Sequence, residues 1–76
     1  MDKNDFLMNF ADQFEDTDPS EIMLTTKFKE LNEWDSLMVL SIIAMIDAEY
    51  DIQLKGVDIR DTETIEGLFE LVKSRR

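Results

Sequence analysis

Four serines, Ser20, Ser36, Ser41 and Ser74, are the nucleophiles that this 76-residue chain can offer. None has the usual means of activation, because the chain contains no histidine and no Gly-x-Ser-x-Gly turn. A Ser–Lys pair finds no support in the spacing. The absence of both His and Cys also excludes the usual zinc sites, haem ligand sets and Cys/His pairs. Chemistry at a serine is therefore expected to be done to it by another protein. No catalytic residue and no self-sufficient enzyme are expected.

Carboxylates are the second reactive population, eighteen Asp and Glu against eight Lys and Arg, for a net charge of −10. Asp16-x-Asp18-x-Ser20 imitates the first three ligand positions of an EF-hand loop. The glycine position that follows is Glu21, and the closing glutamate position is Lys27. No metal site is expected, and the acids read as a solvated face. Their charge repels nucleic acid phosphates and anionic membrane surfaces and points to basic partners.

Ser36 stands apart from the other serines. Asp35 precedes an apolar-periodic run and is a good N-cap, which puts Ser36 at the first helical position. Free backbone N–H groups and the positive end of the helix dipole favour a phosphate on its oxygen. Asp-Ser is by itself a common helix start, so its surroundings must decide.

Those surroundings read as helix. Phe6, Leu7, Phe10 and Phe14 form one apolar stripe, capped by Asp2 or Asn4 and ended by the acidic run before Pro19. A second helix starts at Ser36, with Val39, Ile42, Ile43, Ile46 and Tyr50 on its inner side. A third principal pattern carries Ile65, Leu68, Phe69, Leu71 and Val72 behind a Thr64 cap, with Lys73, Arg75 and Arg76 at its C-terminal end.

The connection of about twenty residues after the first helix is long for so small a domain. Its anchors Ile22, Leu24, Phe28 and Leu31 predict that it packs down. Ile52, Leu54, Val57 and Ile59 alternate with polar residues, but a lone strand has no partner here, so a loop and one helical turn are expected. The architecture is all-α, with helices over about 3–15, 36–50, 57–61 and 64–74. At this length about 60% of the unfolded surface is buried, enough for one thin core with no disulfide to reinforce it. No signal peptide is visible, and the longest uncharged run, Ser36 to Ile46, is too short to span a bilayer. A cytoplasmic monomer is expected.

Over most of its length the sequence resembles the acyl carrier protein family. The resemblance is carried by Thr26-x-Phe28-x-x-Leu31 leading into Asp35-Ser36-Leu37, then Leu40, Ile43, Ile46 and Glu49-Tyr50. Ile52, Thr64-Ile65 and Leu68 complete it. It implies a small four-helix bundle of acyl-carrier type, a single carrier domain over residues 1–76, with a long loop after helix 1 and a short third helix. It further implies that 4′-phosphopantetheine is attached to Ser36 by a phosphopantetheinyl transferase using coenzyme A. Asp35 would orient the transferase's metal, and Leu37 would touch partners. The arm's thiol would carry acyl groups as thioesters between a ligase, ketosynthase or acyltransferase of fatty acid, polyketide or related synthesis.

Two departures qualify this resemblance. Many family members have a glycine in the approach to the motif, where this chain reads Leu31-Asn32-Glu33-Trp34. Trp34 is expected to pack on the bundle and shield the helix start, with a partner contact as the alternative. The second helix, moreover, has no charge from Ser36 to Ile46. With Val39, Ile43, Ile46 and Tyr50 inward, Leu37, Met38, Ser41, Ala44, Met45 and Ala48 fall on its outer arc. Partners are then expected to dock by apolar contact around Leu37, Met38 and Met45, with Glu33, Asp35, Asp47 and Glu49 at the rim. Within carriers, an aminoacyl or peptidyl carrier is the alternative. From another class, the alternative is an acidic protein-interaction module without a prosthetic group.

Overall fold

The computed structural model describes residues Met1–Arg76 as four helices without strands: α1 (Lys3–Ala11), α2 (Ser36–Tyr50), α3 (Gly56–Arg60) and α4 (Ile65–Ser74). Each principal helix starts where its capping residue accepts a backbone N–H. Asp2 receives Asn4 N at 2.7 Å, Asp35 receives Met38 N at 2.8 Å, and Thr64 receives Gly67 N at 3.0 Å. Lys55 precedes α3, and its backbone N–H donates to Asp58 at 2.8 Å, so the turn lies at Gly56–Arg60 rather than 57–61. No helix is long and apolar enough to cross a membrane.

Helix α1 ends at Ala11, four residues short of the expected 15. Gln13 N and Phe14 N bond to Phe10 O (3.2 Å) and Ala11 O (3.0 Å), tightening the chain into 3-10 geometry. Asp12, Glu15 and Asp16 would oppose the negative end of a longer helix dipole. The tightened turn also brings Phe14 into the core, where it stacks with Trp34 at 6.5 Å.

The long connection packs down, as its anchors predict. Ile22 and Phe28 are buried, and Leu24 and Leu31 are half-buried against the core. Two 3-10 turns, Pro19–Glu21 and Phe28–Glu30, give it a shape that the sequence reading lacked. Leu24 O accepts Glu66 N at 2.9 Å, and Lys27 bridges to Thr64, so the segment is fastened to the start of α4.

Two aromatic groups fill the core. Phe6 meets Phe69 and Tyr50, each at 5.6 Å between ring centroids. Phe10 meets Phe14, Phe28 and Trp34 at 5.6, 5.5 and 6.5 Å. Such pairs add about 0.5–1.5 kcal/mol each beyond burial. Helix α3 is held from outside as well. Arg75 grips Asp58 with two N–H groups at 2.8 and 3.0 Å, and Lys29 Nζ donates to Arg60 O.

Candidate functional site

The five residues before α2 fix its first residue from several sides. Trp34 N donates to Leu31 O at 3.0 Å, turning the chain. The Glu33 carboxylate reaches back to the α1 end, accepting Glu15 N at 3.1 Å, Asp16 N at 2.8 Å and the Thr17 hydroxyl at 2.6 Å. Those bonds, the Thr17 hydroxyl first, hold the Glu33 carboxyl below the usual carboxylate range. The Trp34 ring points the other way, 4.8 Å from Phe28 and stacked within 7° of Phe10. Trp34 thus packs on the bundle, as expected, and is half-buried.

Asp35 follows in extended geometry, its Oδ1 committed to Met38 N. Ser36 is exposed at the first position of α2, and the N–H groups of Ser36 and Leu37 precede the first intrahelical bond. An oxygen substituent here meets solvent on one side and two free donors on the other. Nothing in the chain can serve it as a histidine base.

The outer arc of α2 differs from the sequence reading. Met38 and Met45 are 9% and 7% exposed and belong to the core, together with Ile42 and Ile46. Val39, Ile43 and Tyr50 are only half-buried at the margin. The buried arc is rotated by roughly 60° toward the methionines at 100° per residue. Helix α2 packs against α1 on one flank and α3 on the other, and on a helix apolar nearly all round the periodicity does not reveal which flank is deeper. The exposed side carries Leu37 (72%), Leu40 (62%), Ser41 and Ala44. Leu40, one turn after Leu37, is an exposed apolar residue that was not expected on the outer arc.

Two adjoining depressions, each of about 420 Å³, lie between α2 and the segment that ends and follows α1. The one near Ser36 is lined by its neighbours Asp35 and Leu37 with Glu15, Glu33, Trp34 and Met38. The far one is lined by Asn9, Asp12, Ala44, Met45 and Glu49. Gln13 and Ser41 line both, so the two form one groove. A depression of about 440 Å³ on the other side of Glu33 is walled by Asp16, Glu21 and Glu30. No cluster of three or more acids is placed to hold a metal ion. No protein-family model, curated protein or solved structure matches the chain.

Proposed function

We propose that the chain is an acyl carrier protein whose Ser36 bears 4′-phosphopantetheine. The observation that carries this reading is an exposed serine at the first position of a 15-residue helix, behind an extended Asp35 cap, in a chain without a histidine base. The residues fit the group. The phosphate would lie at the free N–H groups of Ser36 and Leu37 and the positive end of the α2 dipole. The Asp35 carboxylate keeps one oxygen on Met38 N and has its second available to the transferase's metal. When bound, the arm supplies a thiol that carries acyl groups as thioesters. The chain's own part is to present the serine, keep the bundle rigid behind it and offer docking contacts beside it.

The docking contacts follow the exposed side of α2. Leu37 and Leu40 form the apolar centre, and Asp35, Asp47 and Glu49 form an acidic rim. Loading and transfer enzymes with basic surfaces around an apolar patch suit this pattern, the acids steering approach and the leucines burying on contact. Met38 and Met45 support the patch from beneath.

Intact mass tests the reading directly. After incubation with coenzyme A, magnesium and a phosphopantetheinyl transferase, the chain should gain one phosphopantetheine, and Ser36→Ala should gain none. No gain with several transferases would overturn it.

A further inference from the structure

We infer that the groove between α2 and the segment following α1 seats the phosphopantetheine arm along its length, an inference that rests on the carrier reading of Ser36. The groove starts in the right place. Asp35 and Leu37, on either side of Ser36, both line its near end. It also has the right length. From the serine oxygen to the thiol the arm has roughly fourteen bonds, which at about 1.2 Å per bond extend to about 17 Å. Along α2, at ~1.5 Å per residue, Met45 lies about 14 Å and Glu49 about 20 Å beyond Ser36. The thiol of an extended arm therefore ends in the far depression. Each depression, at about 420 Å³, falls within the roughly 300–1,000 Å³ of ligand pockets.

The lining matches the arm's alternating chemistry. Two amides and a hydroxyl need partners, and a dimethyl carbon and several methylenes need apolar contact. Gln13 Nε2 already donates to Asn9 O at 3.1 Å, which leaves its Oε1 as an acceptor, and the exposed Ser41 hydroxyl can donate or accept. Met38, Ala44 and Met45 supply the apolar floor, and methionine adapts to an irregular chain.

The far end adds selectivity. Asp12 and Glu49 line it, and neither depression has a Lys or Arg in its lining. A thiol between these acids is disfavoured from ionising, because a thiolate would meet like charge. The seated arm is thus held in its unreactive form until a partner draws it out.

The test is nuclear magnetic resonance of the five methionine methyls in unmodified and phosphopantetheinylated protein. The arm's dimethyl protons, about four bonds from the serine oxygen, should show nuclear Overhauser contacts to the Met38 methyl, and the methylenes beside its thiol to the Met45 methyl, with none to Met1, Met8 or Met23. Iodoacetamide should alkylate the protein-borne thiol roughly three- to tenfold more slowly than free pantetheine. Ser41→Trp, which fills the groove at an exposed position, should abolish the contacts and restore the free rate. Asp12→Asn with Glu49→Gln should restore the rate while keeping the contacts. Protein fully modified at Ser36 but lacking Met38 and Met45 contacts, or contacting Val57 and Ile59 instead, would overturn the groove assignment alone. Absence of any mass gain at Ser36 would overturn the carrier reading and the groove with it.

Discussion

The Glu33 carboxylate accepts a 2.6 Å hydrogen bond from the Thr17 hydroxyl, sixteen residues earlier in the chain, and in doing so closes the α1 turn onto the approach to Ser36. Glu33→Gln keeps the size of the side chain but has one neutral acceptor oxygen in place of two, so the amides of Glu15 and Asp16, which use separate carboxylate oxygens, cannot both keep a partner. The expected result is faster amide hydrogen exchange at Glu15 and Asp16, with α4 unchanged. Unaltered exchange at those two amides would show that the bracket holds nothing.

Acid should loosen two such attachments. The Arg75 guanidinium beside Asp58, and the Thr17 hydroxyl on Glu33, hold both carboxyls below the usual range. The unfolded chain then takes up these protons at a higher pH than the folded chain does. Their stabilisation is present above the ordinary carboxylate range, near pH 4, and is lost as pH falls through it. Wild type should therefore be more stable than Glu33→Gln/Asp58→Asn near pH 6, and the gap should narrow by pH 3. Urea denaturation at the two pH values measures it, and a constant gap would contradict the assignment.

The burial of α2 separates residues that look alike in sequence. Met45→Glu places a carboxylate in the core and should cost on the order of 3 kcal/mol or unfold the chain. Leu40→Glu falls on the exposed side and should change stability by no more than about 0.5 kcal/mol. The carrier reading adds that Leu40→Glu slows transfer to the loading enzyme while modification at Ser36 proceeds. Thermal denaturation checks the first contrast and intact mass the second.

Trp34 should be a structural pillar. Removing its ring in Trp34→Ala leaves Phe10, Phe14 and Phe28 without their common neighbour and should cost about 3 kcal/mol. Trp34→Phe should cost less than half as much. Equal and small losses in both variants would mean that the ring is an ornament of the surface.

The two glycines should respond differently to alanine. A Cβ at Gly56 meets nothing within 4 Å, and the backbone there does not have positive φ, so Gly56→Ala should stabilise by about 0.4–1 kcal/mol. A Cβ at Gly67 would lie 3.3 Å from Thr62 Cγ2 and 3.3 Å from the Thr64 Oγ1 that caps α4. There the crowding of the cap offsets the helix propensity that alanine brings, so Gly67→Ala should raise the melting temperature less than Gly56→Ala does, and an equal rise in both would contradict it.

Local signals in the sequence carried much of this fold. Asp35 and Thr64 cap the helices they were expected to cap, and Ile22 and Phe28 pin the long connection. These features depend on one residue and its near neighbours. The phase of α2 depends on which neighbouring helix covers which flank, and a run without polar markers from Ser36 to Ile46 does not encode that locally. Glu33 was equally hidden. In sequence it is one acid among eighteen, and only the 3-10 tightening after Ala11 brings Glu15, Asp16 and Thr17 within its reach. The groove beside Ser36 has the same origin, since Gln13 and Ser41 come to line one depression only when the turn after α1 lies beside α2.

Helix α3 has one buried side chain, Ile59, and five residues, too few to hold a helix by themselves. Its other fastenings are made by charged groups, with Arg75 on the half-buried Asp58 and Lys29 on the last carbonyl. Ionic strength is therefore a dial on this one segment. Salt screens exposed charges within about 10 Å at 0.1 M and about 3 Å at 1 M, whereas the aromatic core is indifferent to it. Concentrated salt should weaken these fastenings and raise amide exchange in α3 before that in α1, α2 or α4, making it the first shutter of the bundle to loosen.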